Sequence, residues 1–128
     1  MYNLQVNEEQ LAMIQKALDL YSRLGIGQVE ELANPFTSPY PIVSERGKEI
    51  LKEFKKELFP ELDSGAYYSI FSKEAPENAK IGYDLIQVIR NFLAYERKPE
   101  GGITVDFNTP IQTSTQPLPK IERIESEK

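Results

Sequence analysis

The residues best placed to do chemistry in this sequence are its acids, and their spacing decides what they can do. Glu49, Glu53 and Glu57 recur every four residues, while Glu8-Glu9 and Glu30-Glu31 are adjacent pairs. A four-residue repeat sets three carboxylates on one strip of a helix. Carboxylate- and magnesium-dependent nucleotide-processing enzymes hold their metal with such clusters. Here Lys48, Lys52 and Lys56 flank the strip, and no second helix offers an acid to complete it. The pattern reads as a solvent-facing charge lattice, so that enzyme class is the alternative and no metal ligand is assigned.

Other routes to catalysis are closed by composition. The chain holds no cysteine and no histidine, which removes thiol nucleophiles, Cys-ligated zinc and the commonest general base. Serines are plentiful, Ser22, Ser38, Ser44, Ser69, Ser72 and Ser114 among them, yet none sits in a nucleophile-elbow pattern and no imidazole exists to activate one. Gly25-Ile26-Gly27 invites a phosphate-loop reading, but no Gly-Lys-Ser/Thr follows and a helix precedes it. No catalytic residue and no cofactor is implied.

One polar strip remains. Tyr83, Asp84, Gln87, Arg90, Asn91 and Arg97 lie on one side of the third helical segment. Arginines there suit phosphates bidentately, and an aromatic ring suits stacking on a base. Tyr83, Gln87, Arg90, Asn91 and Arg97 are therefore the candidate ligand-binding residues, weighed against a solvated face with intramolecular partners. Arg90, mid-helix, is the best fixed of them. A second candidate is the proline-rich stretch Asn34 to Pro41, where Phe36 and Tyr40 could anchor a protein partner. Against it stands a connection whose aromatics fold back onto the core.

Three helices must position these groups. Asn7 reads as an N-cap with Gln10 completing a capping box, and the helix runs to about Leu24 before Gly25. Gln28 to Ala33 adds a turn or two. Ser44 caps a second helix through Leu58, and Pro76 opens a third that reaches about Arg97 and stops before Pro99. Short strands are expected where apolar residues alternate, at Tyr2–Val6 and Ile103–Phe107, and over the aromatic run Ala66–Phe71. The fold class is mainly α, formally α+β: a three-helix core with short peripheral β-strands. Residues 1–107 form one domain, and 108–128 form an extended or disordered arm.

The helix faces differ in breadth. Ile50, Leu51, Phe54 and Leu58 fill an arc of roughly 100° on the second helix. The apolar residues of the first and third helices span roughly 180° by the same wheel. Faces that broad touch more than one neighbour, inside the monomer or across a homo-oligomer interface. Fifteen basic against twenty acidic residues leave a net charge of −5, which disfavours a nucleic-acid partner. The sequence has no apolar run of bilayer length and no basic-then-apolar opening, so a cytoplasmic protein with no membrane partner is expected.

The stretch Ala17-Leu18-Asp19-Leu20-Tyr21-Ser22-Arg23-Leu24-Gly25-Ile26-Gly27-Gln28 resembles a family of small proteins encoded by tailed bacteriophages and related mobile elements. So do Tyr83 to Arg90, and Gly101-Gly102 leading to Val105-Asp106-Phe107 and Pro117-Leu118-Pro119. That resemblance implies a context and assigns no residue a role. Small phage proteins of this kind act on the host, by binding a host defence protein or by sequestering a nucleotide-like signal. The expectation is a non-enzymatic binding protein, homo-oligomeric, in the cytoplasm of an infected bacterium, with a small anionic molecule or host protein as partner. An accessory virion or assembly component is a further alternative.

Overall fold

The first helix begins where local side chains satisfy its free N–H groups. The Asn7 carboxamide accepts from the Gln10 backbone N–H at 2.8 Å, and the Gln10 side chain accepts from Asn7 N–H at 2.9 Å. The computed structural model describes residues 1–33 and 44–124, and its helices are α1 (Glu8–Gly25), α2 (Glu45–Leu58) and α3 (Glu77–Arg97). Short 3-10 turns lie at Val29–Ala33 and Val105–Phe107. Ser44 caps α2 through its hydroxyl, which accepts from Gly47 N–H at 3.0 Å. The expected mainly helical architecture is thus present, with three α-helices among the described residues. Among the described residues no helix is long and apolar enough to cross a membrane.

α1 and α3 meet through small residues. The Ser22 hydroxyl donates to the Ala79 carbonyl at 2.9 Å. A Cβ added at Gly25 would stand 2.8 Å from Ala79 Cβ, and one at Gly82 would stand 2.6 Å from Ser22 Oγ. Both glycines are therefore demanded by close approach of the two helices. The chain then leaves α1 through Gly27, whose φ of 100° belongs to the left-handed region. Ile26, Ile70, Ala75 and Ala79 close a small core there, and Ile86, Ile89 and Leu93 continue it along α3.

α2 packs over the 3-10 turn Val29–Ala33 and is held by a buried cation. Lys55, 2% exposed, donates to both Glu30 carboxylate oxygens at 2.9 and 3.0 Å and to the Ala66 carbonyl at 2.6 Å. Glu30 also accepts from Gly65 N–H at 2.9 Å. Burial would raise the Glu30 carboxyl, but the Lys55 ammonium and these backbone donors outweigh it and hold it below its ordinary value. The apolar stripe of α2 is only half covered, since Ile50, Phe54 and Leu58 stay exposed beside a half-buried Leu51.

None of the three expected strands forms among the described residues. Tyr2–Val6 alternates correctly but finds no partner; it lies exposed and unpaired, and a lone strand has no ladder to stabilise it. In Ala66–Phe71, Tyr68 N–H bonds once to the Ile26 carbonyl at 2.9 Å, after which serine hydroxyls redirect the backbone. Ser69 Oγ accepts from Phe71 N–H and Ser72 Oγ donates to the Ser69 carbonyl, a local turn that competes with extended pairing. In Ile103–Phe107 the Phe107 N–H returns to the Thr104 carbonyl at 3.1 Å, closing a 3-10 turn. The side chain of Asn91 takes the Asp106 and Asn108 carbonyls that a neighbouring strand would have needed.

Candidate functional site

The polar strip of α3 is largely engaged by the protein's own chain. Residues 109–124 form neither helix nor strand and bend at 114–116, and side chains of α3 bind the backbone of this arm. Gln87 grips Ile111 from both sides, accepting from its N–H at 2.9 Å and donating to its carbonyl at 2.7 Å. Asp84, 2% exposed, accepts from the backbone N–H and the hydroxyl of both Thr113 and Ser114, at 2.6–3.0 Å. Burial would push its carboxyl up, but those four donors hold it below the ordinary aspartate value. Glu77 extends the track by accepting from Thr115 N–H and hydroxyl at 2.6 and 2.9 Å.

The remaining candidates from the strip divide. Asn91 donates to the Asp106 and Asn108 carbonyls, both at 3.1 Å. Arg90 pairs with the Asp106 carboxylate at 3.3 Å, its buried Nε too poorly aligned for a hydrogen bond. Arg97 stands at the exposed end of the helix, 3.7 Å from Glu8. Only Tyr83 faces elsewhere. Phe36 and Tyr40 lie outside the described residues.

Tyr83 lines a cleft of about 340 Å³ beside the arm-binding face of α3. Its other walls come from the last turns of α1 (Asp19, Ser22, Arg23), from Ile26 and Gln28 at the glycine bend, and from Tyr67 to Phe71. The bend and the serine turn described above bring these segments together. Tyr67 and Phe71 leave 55% and 63% of their surface open, while Phe71 meets Tyr83 edge to face with ring centroids 6.4 Å apart. Tyr68 packs inward on the core. Loss of hydration, then the Glu61 and Glu74 carboxylates, raise its hydroxyl above the ordinary tyrosine value.

A single guanidinium stands in the cleft, and it is already oriented. Arg23 Nε donates to Asp19 Oδ2 at 2.9 Å, and one terminal nitrogen donates to Gln28 Oε1 at 3.3 Å and lies 3.7 Å from Glu31. Burial opposes its charge, but Asp19 and Glu31 prevail and raise its pKa further. The aromatic faces can stack on a planar ring, and the carboxylate and carboxamide beside them can pair with a polar edge. The Ser22 hydroxyl is spent on Ala79, and among the described residues no three acids gather in a metal-holding group.

Sequence reasoning singled out Tyr83 alone from this cleft. Asp19, Arg23, Gln28, Tyr67 and Phe71 do not stand out in the sequence, because the glycine bend fails as a phosphate loop and reads as a helix stop, and the aromatic run reads as a strand. The available signal was the mixture of Asp19, Arg23 and Gln28 around a tight reversal, together with three aromatics in the five residues Tyr67–Phe71. No protein-family model, curated protein or solved structure matches this chain.

Proposed function

We propose that this is a non-enzymatic binding protein that sequesters a small, nucleotide-like molecule in the cleft between α1, α3 and the Tyr67–Phe71 segment. One observation carries the reading: open aromatic faces and an arginine pre-set by Asp19 and Gln28 line the same 340 Å³ space. Pre-ordered side chains lose little entropy on docking. Neither histidine nor cysteine exists to move a proton or attack a bond, which favours holding a ligand over converting it. The resemblance to small phage proteins supplies the context, a signal removed inside an infected bacterial cell.

Self-association belongs to the same proposal. The half-exposed Ile50, Phe54 and Leu58 of α2, with Met13 and Tyr21 of α1, leave apolar surface that a second copy would cover. Light scattering at high concentration tests it, and a clean monomer removes this part.

The binding itself is tested by incubating purified protein with a nucleotide panel, washing, denaturing by heat and analysing what is released. Recovery of unchanged molecules is the expected result, and a Tyr67→Ala variant should retain about five-fold less or lower still, by the usual worth of one base–aromatic stack. Recovery of altered products would move the protein to the carboxylate-dependent enzyme class. A panel from which nothing is retained would end the proposal.

A further inference from the structure

Beyond the cleft, and independently of any nucleotide, we infer that the polar face of α3 is a recognition track for a peptide segment with consecutive hydroxyl residues, and that the arm of a second copy occupies it when two chains exchange arms. The first step is what the track reads. Glu77, Asp84, Gln87 and Asn91 are separated by seven, three and four residues, which sets them along one face of the helix. Gln87 meets only the backbone of Ile111, at its N–H and its carbonyl, and so fixes register without choosing a side chain. Asp84 and Glu77 read more. Each of Thr113, Ser114 and Thr115 is met twice by one of these carboxylates, once at its N–H and once at its hydroxyl. A carboxylate only accepts, so both groups must donate, and a residue without a hydroxyl forfeits half of its contact.

The second step is that the arm brings its bound shape with it. Gln112 donates to the Ser114 and Gln116 carbonyls at 3.2 and 2.7 Å, and Gln116 N–H donates to the Ser114 hydroxyl at 3.1 Å. The bend at 114–116 is therefore held within the arm itself and does not depend on which α3 lies beneath it. A ligand shaped in advance loses less entropy on docking.

The third step is that exchange replaces like with like. None of these hydrogen bonds requires arm and track to belong to one chain. Apolar contact adds little to the hold, since Ile111 is exposed and Leu118, Pro119 and Ile121 are only half-buried. Thr109 and Pro110 alone connect Ile111 to Asn108, whose carbonyl Asn91 fastens to α3. A change of direction over those two residues carries the arm to a neighbour, where the same contacts are remade, a low-cost route to a dimer. Thr113 and Ser114 of one chain then complete the track of the other. In the closed chain the short tether supplies an effective concentration of about a millimolar, so intact chains exchange only near or above that level.

The experiment is complementation between two full-length variants. Asp84→Ala breaks the track and keeps the arm, while the double variant Thr113→Val, Ser114→Ala breaks the arm and keeps the track. Circular dichroism should show native helix content in each. Mixing them should give a one-to-one complex by analytical ultracentrifugation, with hydrogen-exchange protection returning at the Thr113 and Ser114 amides of the Asp84→Ala chain. A synthetic peptide of residues 108–123 gives a second measurement that needs only the double variant and the native chain. It should bind the double variant about ten-fold or more tightly than the native chain, whose own arm must first open. A peptide carrying T113V and S114A should bind about ten-fold or more weakly, having lost two hydrogen bonds to a charged acceptor. Absence of the mixed complex, or equal binding of the two peptides, overturns the inference. A dimer that Asp84→Ala forms by itself belongs to the apolar faces of α1 and α2, and if mixing adds nothing to it the arm stays on its own chain and the inference falls. Nucleotide retention by the cleft is unmoved by either result, so the two readings fail separately.

Discussion

Replacing Asp84 with alanine should release the arm from α3 while leaving the helices in place. In the native chain one buried carboxylate accepts four hydrogen bonds, from Thr113 N and Oγ1 at 2.8 and 2.6 Å and from Ser114 N and Oγ at 3.0 and 2.8 Å. Hydrogen bonds to a charged acceptor contribute about 1.5–3 kcal/mol each. These four share one carboxylate and are not independent, so we set the loss near 3 kcal/mol rather than at their sum. Little apolar burial offsets it, because Ile111 is exposed and Leu118, Pro119 and Ile121 are only half-buried. At about 1.4 kcal/mol per ten-fold, the open population should rise roughly 100-fold. Native-state hydrogen exchange reads this directly as faster exchange at the Thr113 and Ser114 amides, with α3 amides such as Ile89 unchanged. Equal exchange rates in the two proteins would refute the claim that Asp84 fastens the arm. Loss of helical signal along with the arm would refute its separability.

Acidification should act on the same fastening. The Asp84 carboxyl lies below its ordinary value in the folded chain, so the stability it contributes is fully present above about pH 3.9 and is lost as pH falls through the lowered value. Glu30, also lowered, follows the same sign below about pH 4.3 and loosens α2 from the Lys55 contact. Exchange protection at Thr113 and Ser114 should therefore hold from neutrality to about pH 4 and decline only beneath it; a decline centred near pH 6 would contradict the assignment. Gly82→Ala tests the helix crossing by sign. Alanine gains up to about 1 kcal/mol in an exposed helix, yet here its Cβ would stand 2.6 Å from Ser22 Oγ, and overpacking costs about 1–3 kcal/mol. Urea denaturation should show net destabilisation of about 1–2 kcal/mol, and a stabilised variant would disprove the close approach.

Local chemistry was legible in the sequence, and long-range partnership was not. The Asn7–Gln10 box and the Ser44 cap involve groups three residues apart, so their pattern contains both partners. A strand has no such autonomy. The alternation at Tyr2–Val6 and Ile103–Phe107 satisfies the side-chain period of a sheet, but a ladder needs a second strand, and the spacing of apolar residues says nothing about whether one exists. Lys55 failed to show for a related reason. It sits among surface lysines at helix-neighbour spacing, and only the fold brings Glu30, twenty-five residues earlier, and the Ala66 carbonyl within reach.

The polar strip of α3 makes the limit sharper, because its chemistry was visible while its partner was not. Carboxamides and a carboxylate in register along a helix can read any extended chain of N–H and C=O groups, and Gln87 meets Ile111 as it would meet a foreign peptide. The nearest such backbone is the protein's own arm, present at an effective concentration no free ligand matches while the tether spans the gap. Composition marked that arm as unable to form a core of its own, since three prolines and the Thr113–Gln116 run leave little to bury. It did not mark the arm as something α3 could bind. Conversely, the residues of the cleft looked ordinary one by one: an i,i+4 ion pair at Asp19 and Arg23, a glycine stop, a few tyrosines. What sets them apart is convergence, produced by Gly27 turning the chain and by Gly25 and Gly82 letting α1 and α3 touch. Those glycines are the point where the sequence and the site connect, since a Cβ at Gly25 or Gly82 would meet Ala79 or Ser22 across the helix crossing, and one at Gly27 would meet Leu62.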